Sequence, residues 1–281
     1  MKIVVTGSKG FIGKVLINSL HKLGHHIIEI DLELGHDVTE WDTFSSLSNY
    51  DCLVNLAAKL FVPDSFKDPL SFYNTNVVGT LNAIESCRIN NAKFIQFSSY
   101  TYGAPDYLPI DENHPVRSFN PYSRSKIMGE DICKSYHSDF GVKSIIFRPF
   151  NIYGINQDSR FIIPTIIDQA KKGKVILKDK RPKRDYIFVD DIISAVIKAL
   201  DYDPKGTEVF NLGSGISTSV EELVLIIKKT FEKPFDVEYL EEYRQNEVLD
   251  TVANIEKIKE ALNWKPKYSL KEGITKIIHN L

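Results

Sequence analysis

The chain has 281 residues, 43% of them hydrophobic, enough for one large domain or one and a half around a buried core. Its 35 Lys and Arg against 37 Asp and Glu leave a net charge of −2, so nothing favours a polyanion such as nucleic acid, which asks for a clearly basic domain or stripe. Cys52, Cys87 and Cys133 lie far apart with no CxxC pair, a set that fits free thiols in a reducing compartment better than a disulfide framework.

MKIVVTG at the start is too short for the apolar core of a signal peptide, and no apolar run nears the roughly 18 residues of a membrane span. The expectation is a cytoplasmic α/β protein that engages no membrane, and no residue stands out as a metal ligand. Lys2–Thr6 reads as a strand. Phe11, Ile12, Val15, Leu16 and Leu20 then recur at helical spacing until Gly24. His26–Asp31 and Asp51–Leu56 read as strands, residues from about Ser65 to Asn90 as one long helix, and Lys93–Ser98 as a fourth strand. Pro121–Phe140 is a predicted helix stopped by Gly141, followed by a strand at Lys143–Arg148. Strands alternating with helices predict a Rossmann-type doubly wound parallel sheet. Beyond Arg148 a helix is expected at 162–172, a solvated basic loop at 178–185, a strand at 185–189, a helix at 190–201 and a short strand at 209–212. Ser219 with Glu222, and Ser269 with Glu272, have the spacing of capping boxes. The expected organisation is a dinucleotide-binding domain over 1–150, to which 185–212 returns, and a smaller C-terminal α/β substrate lobe over 151–184 and 213–281.

TGSKGFIG, from Thr6 to Gly13, falls between the first strand and the first helix, where a phosphate-binding loop belongs. Gly7 permits the tight turn, Gly10 lets the backbone approach a pyrophosphate at the positive helix end, and Gly13 lets helix and strand pack closely. Asp31 closes the second strand 18 residues after Gly13. A carboxylate there accepts both ribose hydroxyls and repels a 2′-phosphate, and no arginine follows it in DLELG, so the expected cofactor is NAD rather than NADP.

PYSRSK opens the helix at 121. Tyr122 and Lys126 lie one turn apart on one face, and no other of the 13 tyrosines has Lys four residues on. Bringing a phenol from a pKa near 10 to about 7 takes about 4 kcal/mol. One ammonium about 4 Å away supplies a similar amount at a moderate effective dielectric. Ser98 and Ser99, at the end of the fourth strand, offer a hydroxyl to a substrate oxygen.

These motifs together resemble the extended short-chain dehydrogenase/reductase family, in its NAD-dependent nucleotide-sugar epimerase/dehydratase branch, over nearly the whole chain. TGSKGFIG is similar to that family's TGxxGFIG. NLAA, 55–58, resembles its HLAA with Asn55 in place of His, and NVVGT carries Asn76. RPFNIYG (148–154), RDYIFVDDI (184–192), NLGSG (211–215), Arg244 in RQNE and LNWKP (262–266) follow in order. The resemblance implies a cofactor site of Gly7, Gly10, Phe11, Ile12, Gly13, Asp31, Leu32, Asp37, Val38, Leu56, Ala57, Ala58, Asn76, Ser98, Tyr122, Lys126, Pro149 and Phe150. It implies Ser99, Tyr122 and Lys126 as catalytic residues, and Ser99, Asn151, Arg184 and Arg244 as contacts to a nucleoside-diphosphate sugar. Against the family's SSxxVYG, the stretch SSYTYG is one residue short. Counting from the strand selects Ser99, counting back from Gly103 selects Ser98, and Ser99 is preferred because the strand fixes position better than the loop. Tyr100 and Thr101 stand where dehydratases of the family carry Asp-Glu, which argues against dehydration.

The expected activity is therefore epimerisation at the sugar 4-position through a transient 4-keto sugar, with Tyr122 as the base. The alternatives are a 4-ketoreductase making a deoxysugar nucleotide and a non-catalytic dinucleotide sensor, the latter disfavoured by Tyr122 and Lys126. The resemblance also implies a homodimer built on the long helices at 65–90 and 121–140.

Overall fold

Short β-branched runs and amphipathic helical runs alternate in the sequence, and a computed structural model, which describes residues 1–231, 233–243 and 247–280, turns that alternation into layers. In chain order come β1 (Lys2–Thr6), α1 (Phe11–Lys22), β2 (His26–Ile30), α2 (Asp42–Ser45), β3 (Cys52–Asn55) and α3 (Val62–Lys67). Next are α4 (Pro69–Tyr73), α5 (Gly79–Asn90), β4 (Lys93–Phe97), α6 (Pro121–Phe140), β5 (Ser144–Pro149) and β6 (Asn151–Tyr153). Then follow α7 (Ile162–Lys171), β7 (Lys174–Leu177), β8 (Lys183–Phe188), α8 (Val189–Asp201) and β9 (Thr207–Leu212). The last are β10 (Ser217–Ser219), α9 (Val220–Thr230), β11 (Asp236–Tyr239), α10 (Glu256–Leu262) and α11 (Leu270–His279).

The chain divides into two compact units. The first comprises residues 1–103, 115–149 and 193–211. Its six-stranded sheet has the order β2-β1-β3-β4-β5-β9, and β1 pairs in parallel with β2 and β3, β3 with β4, and β4 with β5. This is the expected Rossmann-type sheet. The strand order reverses between β1 and β3, and in such sheets the crevice at that point, beyond the strand ends, receives the ligand. Strands such as IVV and CLV are apolar throughout because helices cover both faces. Val4, Leu53, Ile84, Phe94, Cys133 and Ile146 are among the side chains that fill one layer. Gly129 allows α6 to lie close, since a Cβ there would stand 3.2 Å from Gln96 Nε2 on β4 and 3.5 Å from Thr80 Oγ1 on α5.

The second unit comprises residues 104–114, 150–192 and 212–281. It holds a three-stranded sheet, β10-β8-β6, and a parallel pair, β11-β7. Residues 185–192 were expected with the first unit. They group with the second because β8 pairs there in parallel with β6 and antiparallel with β10. Residues 104–114 join it through Ile110, whose N–H donates to Val252 O at 2.8 Å while its carbonyl accepts from Asn254 N at 2.7 Å. Both capping boxes are present, at Ser219–Glu222 and Ser269–Glu272. Cys52, Cys87 and Cys133 are free and buried, and among the described residues no helix is long and apolar enough to cross a membrane.

The single helix expected from Ser65 to Asn90 is instead α3, α4, a five-residue π-helical turn at Asn74–Val78, and α5. Proline disfavours helical geometry in the residue before it. Asp68, ahead of Pro69, accordingly leaves the helix at φ −136° and ψ 68° and caps α4 by accepting from Ser71 N at 3.2 Å. The π turn places Asn76 in the interior.

Candidate active site

The turn after β1 is shaped for close approach. Gly7 has φ +66°, and a Cβ on it would stand 2.8 Å from Ala57 N and 2.9 Å from the carbonyl carbon of Leu56. A Cβ on Gly10 would stand 3.2 Å from Gly7 O, and one on Gly13 would press on the carbonyls of Gly7 and Ser8. Gly10 caps α1 without any side-chain hydrogen bond, so the positive helix end that begins with Phe11 and Ile12 has no side-chain acceptor of its own. Leu56 N and Ala57 N hang from Thr6, at 3.2 Å from its carbonyl and 3.1 Å from its Oγ1. Leu56, Ala57 and Ala58 thereby line the turn half-buried.

Asp31 accepts from Lys9 N at 2.9 Å and Glu33 N at 3.0 Å. A carboxylate has about four acceptor positions, so two stay available for ribose hydroxyls. Leu32 beside it is exposed. Asp37 spends Oδ1 on Thr39, accepting from its N–H at 2.8 Å and its hydroxyl at 2.9 Å, while Val38 is buried against Gly79. A turn kept free of Cβ atoms by its glycines, a helix start with no side-chain cap bond and a carboxylate with spare acceptors fit the dinucleotide of NAD. Pro149 ends β5 in the first unit, and buried Phe150 begins a segment of the second.

From that turn a line of buried amides and hydroxyls runs to α6. Thr6 Oγ1 donates to Asn55 Oδ1 at 2.6 Å, and Asn55 Nδ2 donates to Gln96 Oε1 at 2.8 Å and Thr80 Oγ1 at 3.3 Å. Thr80 Oγ1 donates to Asn76 O at 2.7 Å. Asn76 Nδ2 donates to Ser125 Oγ at 2.8 Å and Lys59 O at 3.1 Å, and Ser125 Oγ donates to Tyr122 O at 2.7 Å. Asn55, where the family pattern has His, is thus the hinge of a fully bonded interior network, the kind that fixes one arrangement.

α6 begins at an Asn120 cap whose Oδ1 accepts from Ser123 N at 2.8 Å. Tyr122, Lys126 and Glu130 follow at four-residue steps, so they share one face. Tyr122 is half-buried with the Phe72 ring edge-on at 6.4 Å between centroids. Burial holds its hydroxyl above the ordinary phenol range, and the Ser99 hydroxyl pulls the other way. Lys126 is buried, and loss of water brings its ammonium down to about 8, opposed by the negative charge of Glu130.

Two adjacent serines at the end of β4 point to different places. Ser99 lies close enough to Tyr122 for its hydroxyl to draw the Tyr122 pKa down. Ser98 is buried, and its Oγ donates to Glu130 Oε1 at 2.6 Å, so its hydroxyl is spent inside the protein. Glu130 in turn takes a two-pronged contact from buried Arg148, Nε to Oε1 at 2.8 Å and Nη2 to Oε2 at 2.5 Å. Arg148 Nη1 donates to Tyr102 OH at 2.9 Å, and that hydroxyl donates to Asn211 Oδ1 at 2.6 Å. The segment from Ser98 to Tyr102 is therefore tied at both ends to one interior ion pair. Sequence reasoning missed Glu130 and Arg148. The only local signal was that Glu130 falls on the Tyr122–Lys126 face.

In the second unit Asn151 is half-buried and donates through Nδ2 to Asp185 O at 3.1 Å. Arg184 donates to Glu247 Oε1 at 2.5 Å, Val248 O at 2.7 Å and Lys183 O at 2.8 Å. An anion would thus meet a guanidinium already held in place. Asp185, also missed, is the buried tie of this unit: it accepts from Ser214 N at 2.6 Å, Ser214 Oγ at 2.7 Å, Gly215 N at 3.0 Å and Ala253 N at 3.1 Å. Arg244 lies outside the described residues.

Comparison with known proteins matches this geometry to a family. The profile of the NAD-dependent epimerase/dehydratase family matches residues 3–213. A UDP-glucose 4-epimerase of Rhizobium meliloti is 32% identical over 306 residues, covering 95% of this chain and 93% of the relative. The solved UDP-N-acetylglucosamine 4-epimerase of Methanobrevibacter ruminantium, in complex with UDP-N-acetylmuramic acid, superposes with a TM-score of 0.91 at 27% identity, covering 100% of this chain and 99% of that one. The UDP-glucose 4-epimerase of Thermotoga maritima with UDP-glucose gives 0.90 at 26% identity, with the same coverage.

Proposed function

Because the chain belongs to the NAD-dependent epimerase/dehydratase family of extended short-chain dehydrogenases/reductases, we propose that it is a nucleotide-sugar 4-epimerase acting on a UDP-sugar, with Ser99, Tyr122 and Lys126 as its catalytic residues. The observation that carries this is the convergence of the three. The Ser99 hydroxyl draws the Tyr122 pKa down, and Lys126 lies one turn along the same helical face. NAD, held by the Gly7–Gly13 turn and Asp31, supplies when bound the reversible oxidation of a sugar carbinol to a ketone.

Tyr122 removes the proton of the sugar hydroxyl and later returns it. A phenol raised by burial is a poor base, so its activation falls to Lys126, whose positive charge favours the phenolate. Ser99 donates a hydrogen bond to the same sugar oxygen as negative charge develops there. In the second unit Arg184 is the proposed phosphate contact, suited by its fork of donors to a diphosphate. The relatives' named substrates support UDP as the nucleotide.

The test is incubation of the purified protein with UDP-glucose and with UDP-N-acetylglucosamine, with no cofactor added. The 4-epimers are followed by chromatography and the retained cofactor is identified by mass spectrometry. Epimer formation with NAD released on denaturation is expected. Absence of any epimer, together with consumption of a 4-keto sugar only when NADH is added, would make the protein a 4-ketoreductase instead.

A further inference from the structure

Lys9 sits inside the phosphate loop, where a tight turn against a pyrophosphate requires no side-chain cation. Its N–H donates to Asp31 Oδ2 at 2.9 Å, and its ammonium pairs with Glu29 Oε2 at 2.5 Å. Glu29 lies on β2, two residues before Asp31, and Asp31 continues the extended backbone at φ −160° and ψ 151°. The two carboxylates therefore lie on one side of the strand, one bonded to the backbone of Lys9 and the other to its tip. Both members of the ion pair are partly open, at 29% and 27% side-chain exposure.

We propose that the Lys9–Glu29 pair is a second cofactor-selectivity element, in which Glu29 withdraws the Lys9 ammonium from the ribose end of the dinucleotide and so reinforces the preference for NAD over NADP. A 2′-phosphate would attach to the ribose whose hydroxyls Asp31 accepts. Its charge, about −1.5 to −2 near neutrality, meets two obstacles: the Asp31 carboxylate repels it, and the Lys9 ammonium is committed to Glu29. Lysine is a flexible point charge that binds phosphate well when free. Removing Glu29 would therefore release a cation beside the place where the extra phosphate must go. The Lys9 hydrogen bond lowers the Glu29 pKa below the ordinary carboxylate range, consistent with a latch that is closed at neutral pH.

The inference rests on the placement of the dinucleotide at this loop, and the experiment separates the two. The full-length protein and its variants are equilibrated with an excess of NADH and NADPH in equal amounts, and the bound mixture is released and quantified by mass spectrometry. Thermal melts check folding, which substitutions at these partly open side chains should preserve. Asp31→Ala should raise the bound NADPH:NADH ratio. Adding Glu29→Gln to it should raise the ratio about a further tenfold, equivalent to 1.4 kcal/mol, and adding Lys9→Met as well should erase that second gain. If Asp31→Ala changes neither the ratio nor the amount bound, the dinucleotide does not lie at this loop and the latch falls with it. If Asp31→Ala responds but Glu29→Gln adds nothing, or its gain survives Lys9→Met, the loop placement stands and the latch is overturned.

Discussion

Ser98 and Ser99 are neighbours with separate tasks, and substitution should separate them. Ser99→Ala removes the hydroxyl beside Tyr122. Losing a hydrogen bond to a developing charge costs about 1.5–3 kcal/mol, so turnover should fall roughly 10- to 150-fold with an unchanged melting temperature. Ser98→Ala should instead lower stability, by about 1.5–3 kcal/mol for a lost buried hydrogen bond to a charged group, and leave turnover nearly intact. Steady-state rates and thermal melts on both variants decide it, and the reverse pattern would assign the catalytic hydroxyl to Ser98. Tyr122→Phe keeps the ring packed against Phe72 and deletes only the hydroxyl, so turnover should drop well over tenfold while NAD stays bound. Lys126 carries a sign that can be checked. Its ammonium titrates near 8 in the folded, cofactor-free chain against an ordinary 10.5. Between those values the unfolded chain holds more protons, so this group adds stability as pH rises, by up to about 1.4 kcal/mol per pH unit. Lys126→Met lacks the penalty for a buried charge and should lead the wild type in melting temperature at pH 7, with the gap closing above pH 8. A gap independent of pH would mean that Lys126 is not desolvated. At this scale the sequence was informative where chemistry is local: one tyrosine with Lys four residues on, and Asp31 directly after β2. It was silent on Ser98, whose partner is 32 residues away.

At the scale of elements, α6 is the organiser. One of its faces presents Tyr122, Lys126 and Glu130, and the Glu130–Arg148 pair anchors the strand end that bears Ser99. Breaking one partner of a buried pair costs about 3–5 kcal/mol, so Arg148→Met should strongly destabilise the protein. Arg148→Met combined with Glu130→Met, which leaves no stranded charge, should recover much of the loss. A double-mutant cycle by denaturant unfolding measures the coupling, and additivity would show that the pair does not act as a unit. The long strands and helices were legible because two to four consecutive apolar residues, or a helical stripe closed by Gly24 or Gly141, announce themselves. β6, β7, β10 and β11 were not, since three or four residues hold too little pattern and their pairing is set by partners far along the chain. Pro69 was the readable sign that the segment at 65–90 could not be one helix. The π turn that buries Asn76 left no such mark.

For the molecule as a whole, self-association is the property most open to test. Val78, Leu81 and Ile89 form an exposed apolar stripe along the Asn74–Asn90 segment, and Met128 and Phe140 are exposed on α6. We propose that two copies associate through these helices. Sedimentation should give a dimer at micromolar concentration, and Leu81→Glu with Met128→Glu should give a monomer; a monomeric wild type would refute the proposal. The broad division into a Rossmann unit and a second unit was visible in the change of pattern after Arg148. The diversion of residues 104–114 was not, because it depends on the distant segment around Val252. That interleaving has a consequence for biosynthesis. Each unit is assembled from three separate stretches, so the ribosome delivers the final piece of the first unit only at residue 211, and the second unit cannot close until α11 has emerged. The Ala104–His114 excursion is made early and waits for the segment around Val252, so a nascent chain halted near residue 211 would carry a finished first unit with a loop that has nowhere to dock.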